Sequence, residues 1–594
     1  MKFPYGICDF NKIITKGYFY CDRTDRIPLL EEIGDSLLFL RPGRFGKSLL
    51  LSMLANYYDV ALSDRFDELF GNLLIGKKPT DLHNSYFILN WDFSCVNPAG
   101  SPDDIQKSLY DHINVRIAGF KMFYEDFIDQ DIRINPDNAI YSIESLIAAV
   151  RMTPYPIYLL IDEYDNFANE VMMATKKDSA VYESLVHGDG LLKTLFKAVK
   201  ASASNSLFDR TFITGVSPVV MSDITSGYNI AKNIYLYPEF NDLCGIAEQE
   251  IQDSIYKIIN ERDMKDLQAK STLEIMRIYY NGYAFSYGAK SHVYNPTLAI
   301  YFFEELFKRG SYPDDMLDVN LATDDAKLHY VSGLIEGKQL LLDLTTGDNT
   351  IVVPKLENRF GIRQMLEAEN ENITFIASFL YYFGILTMGG KTKFGEFRLC
   401  IPNLVIKGLY VERIGKMLLP EPAKRDAGMF AAKQLFQVGD IKPVCKFIEE
   451  KYFKVFSNRD YRWANELTVK TAFLTLLYND ILYIMDSEME IDKRFNDLTM
   501  IIRPDMRKFE IFDILLEFKF VTLKEADLTG EAAKKLTREE LIALPKMRDR
   551  MKEAEKRIAH YGDALEQKYK NLRLKRFAVV SLGFERLWGK AYNE

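Results

Sequence analysis

Three small groups of residues in this chain have the types and spacing for phosphate chemistry. Gly46-Lys47-Ser48 ends the turn within Leu37 to Asp59, LLFLRPGRFGKSLLLSMLANYYD, which reads as a strand, a glycine-bearing turn and a helix. In that ending Gly46 lets the backbone approach a phosphate, Lys47 brings positive charge to the β- and γ-phosphates of a nucleotide such as ATP, and the Ser48 hydroxyl can ligate Mg²⁺. Arg44 lies in the same loop, and the helix that starts there aims its free N–H groups at the anion. The second group, Asp162-Glu163, follows the apolar run Ile157 to Ile161 in YPIYLLIDEYDNFAN. A strand buried on both faces that emits two carboxylates at its C-terminal end suits a metal-holding Asp162 and a water-polarising Glu163.

The third group lies near the C-terminus. Asp497 to Ile502 (DLTMII) reads as a strand, RPDMRK as a turn, and Phe509 to Val521 (FEIFDILLEFKFV) as a second strand. With the turn centred near Met506 and Arg507, Asp497 comes opposite Glu517, and Glu517 and Lys519 share a face. Two carboxylates and a lysine so gathered can bind Mg²⁺ and steady phosphate charge, as a metal-dependent nuclease needs. Glu466, on a helix predicted over Asn465 to Tyr478, is either a further metal carboxylate or a solvated charge near a helix start. Asp505 lies roughly 25 Å along the strand from Glu517 and reads as a turn residue.

These groups need elements to hold them. Arg210 to Pro218 (RTFITGVSP) reads as another buried strand. Thr214 and Ser217 at its end either reach a γ-phosphate or merely end the strand and cap the next helix. Arg210, at its start, belongs on the far edge from the phosphates. Strand, helix and strand repeating in this way predict an α/β fold with a parallel sheet and crossovers. From Asn241 to about Arg309 the pattern is helical, with YYNGY and VYNP as core and turn formers of a helical lid. Ser311 to Asp440 suggests a small helix-plus-hairpin module, winged-helix-like in outline. The resulting division is 1–240, 241–310, 311–440 and 441–594.

Composition sets the outer bounds. At roughly 150 residues per domain, a chain of 594 residues makes three or four units. Hydrophobic residues at 48% and charged residues at 27% are ordinary for soluble globular protein. The net charge of -9 excludes a generally basic surface, so nucleic acid must be met by a local patch. Lys546 to Arg576 holds eleven Lys and Arg against five Asp and Glu, a helix able to track a phosphate backbone or an ordinary exposed face. The six cysteines show no CxxC and read as reduced thiols of a cytoplasmic protein. MKFPYGICDFNKI predicts no signal peptide. Ile373 to Gly390 lacks charge over 18 residues, yet its polar residues and glycines predict a buried helix running into a strand, not a membrane span.

LRPGRFGKSLLLSML, YLLIDEYDN, FITGVSPVVMSDITSGYNI, YYNGYAF with VYNP, and DLTMII…LLEFKF together resemble the two-domain family that joins an AAA-ATPase-like domain to a PD-(D/E)XK nuclease-superfamily domain. The resemblance runs over most of the chain in the family's order. It implies a P-loop fold with Walker A and Walker B elements that binds ATP and Mg²⁺, and a restriction-endonuclease-like α/β fold at the C-terminus. The expected activity is ATP hydrolysis gating a nuclease on nucleic acid, DNA ahead of RNA, with a nucleotide-dependent switch that binds without cutting as the alternative. A homo-oligomer is a further expectation. YCDRT, Tyr20 to Thr24, resembles the family's YVDKT element; on its own residues it reads as Asp or Thr capping the next helix. The chain departs from the pattern at Arg41, where the standard loop has glycine, at Arg494-Phe495-Asn496, where the family has a glycine-arginine lead-in, and at Arg557, where it often has glutamine.

Overall fold

A computed structural model describes residues 1–97, 101–166, 191–203, 208–218, 230–264, 269–318, 325–346, 349–357, 372–456, 465–486, 490–491, 494–495, 497–569 and 571–592. The second half of FITGVSPVVMSDITSGYNI and Asn496 lie outside the described residues. The chain divides into two compact units, Met1–Gly310 with Ile351–Pro402, and Ser311–Thr350 with Asn403–Glu594. Residues 311–350 and 403–440 fall in the second unit and 351–402 in the first.

The first unit is built on a five-stranded sheet of β1 (Ser36–Leu40), β2 (Phe87–Asp92), β3 (Ile157–Asp162), β4 (Phe208–Gly215) and β5 (Lys232–Asn233), in the order β2-β3-β4-β1-β5. All four pairings are parallel. Leu37 to Leu40 and Ile157 to Ile161 are buried, as the continuous apolar runs require when both faces are covered. Parallel strands end on the same edge, and β4 lies between β1 and β3. That order gathers the loop after β1, Thr214 of β4 and Asp162 of β3 at one carboxyl edge, where α/β sheets hold ligands. Helix α1 (Lys47–Tyr58) follows the loop and stops at Asp59, whose side chain accepts from Ala61 N.

Beyond the sheet come α2 (Glu248–Glu261) and α3 (Pro296–Arg309). Asn295 caps α3 by accepting from Thr297 N and Leu298 N, and Tyr279, Tyr280, Tyr283 and Tyr294 are buried. Helix Ile373–Tyr382 is buried and leads into β6 (Thr387–Lys391), which pairs with β7 (Phe397–Cys400). Strand Thr350–Val353 adds to that pair on the β7 side. Among the described residues no helix is long and apolar enough to cross a membrane.

The second unit holds helix α4 (Glu466–Leu477) and a sheet of β8 (Tyr483–Asp486), β9 (Leu498–Ile502), β10 (Asp513–Val521), β11 (Leu574–Leu582) and β12 (Arg586–Ala591), in that spatial order. β10 and β11 are parallel, so a crossover must join them, and it contains α5 (Pro545–Lys568). Met547, Met551, Ala554, Ile558, Tyr561 and Leu565 recur at alternating four- and three-residue steps, one stripe of that helix. Met547, Met551 and Ala554 pack with Val521, Ala578, Val580 and Leu582, and Ile558, Tyr561 and Leu565 pack with Ile501 and Leu515. Each larger side chain so buried contributes roughly 1.5–3 kcal/mol. β10 begins at Asp513 rather than Phe509, because buried Asp513 anchors the turn: its carboxylate accepts from Arg507, Ile502 N and Arg573 N.

Candidate functional site

The loop between β1 and α1 has two positive φ angles, 63° at Arg44 and 89° at Gly46. The second suits glycine, since a Cβ is strained there. Lys47 opens the helix but its chain turns back. Nζ donates to Arg41 O at 3.1 Å and Pro42 O at 3.2 Å and stands 3.4 Å from Glu163 Oε1, with the residue only 3% exposed. Glu163 has φ 50°, and burial raises its carboxyl pKa, opposed by Lys47 and reinforced by Asp165 and Asp162. Thr214 Oγ1 donates to Asp162 Oδ1 at 2.5 Å. Ser217 is engaged elsewhere: its N–H and hydroxyl donate to buried Asp165 at 2.7 and 2.9 Å. Gly215 makes room for that contact, since a Cβ there would lie 2.4 Å from Asp165 Oδ1.

The structure thus brings Gly46, Lys47, Asp162, Glu163 and Thr214 to one edge, with Ser48 in the first turn of α1 and Arg44 in the loop. Ser48 is half-buried there. Arg210 sits at the opposite end, donating to Gly34 O and Glu31 O and pairing with Asp35 at 3.3 Å.

Arg41, at the place of the usual loop glycine, faces the interior. Its guanidinium donates to Leu40 O, Tyr235 O and Phe240 O at 2.6–2.9 Å and stacks on the rings of Phe39 and Phe285. Burial pushes its pKa down to about 10. It is a pin between β1 and the chain after β5.

An apolar cavity of about 90 Å³, open to solvent on one side, begins at Gly46. Phe19, Phe45, Leu49, Leu243, Ile246 and Ile300 are among its walls. The YCDRT element shapes it. Asp22 accepts from Thr24 N and from Leu74 N, and Arg23 grips Glu250 with both arms at 2.6 and 2.7 Å while donating to Asp242 O and Gly245 O. Neither Asp22 nor Thr24 caps helix Ile27–Ile33, against the local reading. Apart from their contact with each other, their partners, Leu74 N and Ile75 N, lie about fifty residues along the chain, so capping was the only role that local spacing suggested.

In the second unit the hairpin register is Leu498↔Leu516, Thr499↔Leu515 and Met500↔Ile514, which continued by one step sets Asp497 opposite Glu517. Asp497 Oδ2 accepts from Phe518 N at 2.7 Å. Lys519 Nζ donates to Glu517 Oε1 at 3.0 Å and to Phe518 O at 2.7 Å, with Glu466 Oε1 at 3.8 Å. Burial raises the Glu517 pKa to about 7, helped by Asp497 and opposed by Lys519 and Arg557. Glu466 is also raised, mainly by burial. Asp505 is remote from this cluster and pairs with buried Arg503 at 2.9 Å.

Arg557 of α5 also reaches Glu517 Oε1, at 3.3 Å. Part of the basic charge of α5 is therefore spent on carboxylates, since Arg550 likewise pairs with Glu553. Among the described residues no three carboxylate, imidazole or thiol groups stand close enough to form a metal site by themselves. Yet buried Glu517 Oε2 has no hydrogen-bond partner. An orphaned carboxylate oxygen beside Asp497 fits a Mg²⁺ that takes one or two protein carboxylates and completes its shell with water and substrate phosphate.

Residues 4–225 match the family model described as a predicted AAA-ATPase. That match contains the loop, Asp162, Glu163 and Thr214, while Asp497, Glu517 and Lys519 lie beyond it. An uncharacterized protein in the vnfD 5′ region of Azotobacter chroococcum mcd 1 is 24% identical over 549 residues, covering 90% of this chain and 92% of that one. Among solved structures, Orc1 of Aeropyrum pernix in complex with DNA shares 10% identity at TM-score 0.24, covering 69% of this chain and 98% of its own. Cdc6p of Pyrobaculum aerophilum shares 12% at TM-score 0.24, covering 68% and 98%. The first unit carries an AAA-ATPase-like domain, and such a domain implies nucleotide binding with a divalent metal.

Proposed function

We propose that the first unit binds and hydrolyses ATP, and that this cycle gates a Mg²⁺-dependent nuclease centre in the second unit acting on DNA or RNA. The observation that carries the first part is the Lys47–Glu163 pair at the carboxyl edge of the sheet. Neutral carbonyls hold the Lys47 ammonium, and phosphate oxygens are stronger acceptors, so nucleotide draws Lys47 forward. Glu163 is then released to orient water and take its proton as the water oxygen bonds to the γ-phosphorus and the bond to the β-phosphate oxygen breaks. Thr214 fixes Asp162, and the cavity beginning at Gly46 receives the base. Bound Mg²⁺, held by Ser48 and Asp162, would neutralise phosphate charge.

In the second unit Asp497 and Glu517, with Glu466 nearby, would hold the same kind of ion, and Lys519 would contact the phosphodiester. Cleavage adds water across a P–O bond, its oxygen to phosphorus and its proton to the leaving oxygen. The contact of Arg557 with Glu517 favours a second reading, in which this cluster binds nucleic acid without cutting it.

Phosphate release from ATP by wild type and Lys47→Ala tests the ATPase; equal rates would discard it. DNA and RNA incubated with Mg²⁺ or Mn²⁺, with and without ATP, test the nuclease. Identical products from wild type and Glu517→Ala would leave binding alone.

A further inference from the structure

The loop joining β6 to β7 holds out Phe394, 91% exposed and the most exposed large apolar side chain among the described residues. This loop is tightly bonded. Gly395 N donates to Thr392 O at 3.0 Å and Thr392 N to Glu396 O at 2.9 Å, with Gly395 at φ 82°. The Thr392 hydroxyl accepts from Phe394 N and Glu396 N and donates to Glu396 Oε2 at 3.0 Å. Turn positions favour residues that bond their own backbone or tolerate its twist. Phe394 does neither, and its ring leaves on the order of 150–250 Å² of apolar surface in water. A rigid turn that presents an aromatic ring is arranged for a contact made by the ring.

The surroundings say what kind. Lys391 Nζ lies 3.7 Å from the Tyr287 ring centroid and 4.8 Å from that of Phe397, which fixes the ammonium against those two rings at the base of the hairpin. Lys393 and Arg398 are exposed, while the tip carboxylate of Glu396 is drawn into the turn by Thr392. Three cations therefore lie within four residues of Phe394 on one hairpin, on a chain whose net charge of -9 otherwise repels polyanions. Lipid insertion would need several apolar side chains together, and this tip offers one.

We propose that this hairpin is a nucleic-acid contact of the first unit: an unpaired base stacks on Phe394 while the adjoining phosphates are held by Lys391, Lys393 and Arg398. Every base has a π-face, so the contact is tolerant of sequence, and its phosphate part weakens with salt. It is separate from the acidic cluster of the second unit and does not depend on ATP hydrolysis.

The test uses the full chain without nucleotide. Fluorescein-labelled single-stranded DNA, single-stranded RNA and duplex DNA are titrated with wild type, Phe394→Ala, Phe394→Trp and Lys393→Glu, with anisotropy as the readout. Phe394→Ala should weaken single-strand binding roughly tenfold, in line with the loss of one stacked base. Phe394→Trp should restore it and show saturable quenching of indole emission that wild type lacks. Lys393→Glu should weaken binding and flatten its salt dependence. Unchanged melting temperatures would show the variants folded. Wild-type affinity in Phe394→Ala, or a loss confined to the duplex, overturns the proposal. So does a loss seen with phosphatidylserine vesicles and not with oligonucleotides.

Discussion

Lys47 and Glu163 meet at 3.4 Å across the carboxyl edge of a parallel sheet, from elements more than a hundred residues apart. The carboxylate is raised by burial yet held by the ammonium beside it. Removing only the charge of Glu163 should therefore separate binding from turnover. Glu163→Gln is expected to bind ATP at near wild-type affinity and release phosphate roughly 10²–10³-fold more slowly. Fluorescent-nucleotide binding and phosphate release measure the two, and wild-type turnover in this variant would place the base elsewhere.

Arg41 invites reversion to the usual glycine, and the structure predicts harm from it. Arg41→Gly deprives Tyr235 O and Phe240 O of their donor and empties the space between two rings. A stability loss of about 3 kcal/mol is expected, with no gain in ATP turnover. A thermal melt equal to wild type would show that the pin is dispensable.

Arg557 competes with any cation for Glu517. Because Arg557 is half exposed, the pair is screened, and Arg557→Gln should tighten Mn²⁺ binding only about two- to fivefold. Mn²⁺ titration followed by electron paramagnetic resonance reads this directly, with Glu517→Ala as the variant that should lose the ion. Weaker Mn²⁺ binding in Arg557→Gln would make Arg557 a support of the cluster instead.

Asp59 supplies a pH test in the first unit. Burial raises its carboxyl pKa from the ordinary 3.8 to about 6, despite hydrogen bonds from Ala61 N and Tyr124. The unfolded chain then loses this proton first, so the ionised group costs stability above pH 6, less as pH falls, and nothing below the unfolded value. Asp59→Asn keeps an acceptor without the charge. It should raise stability by about 2–3 kcal/mol at pH 8 and by roughly half that at pH 5, read from melts at both values. A gain that does not shrink at pH 5 would contradict the assignment.

Much of the site geometry was legible because it is local or periodic. Buried apolar runs marked the strands that end at Asp162 and at Gly215, next to Thr214. The turn centre marked the partner of Glu517, since hairpin pairing is symmetric about its turn. The start of β10 at Asp513 and not Phe509 is not legible in the sequence, because buried Asp513 holds the turn from within, and apolar spacing carries no record of that anchor.

The sequence by itself determined which residues sit at strand ends, which share a strand face and which stripe of α5 is apolar, because side-chain period and turn chemistry act over a few residues. Only the tertiary structure decided what the arginines do. Arg41 bonds a carbonyl 194 residues away, Arg23 a carboxylate 227 away and Arg557 one 40 away. A long cation is defined by the acceptors it reaches, and those are set by how the layers pack.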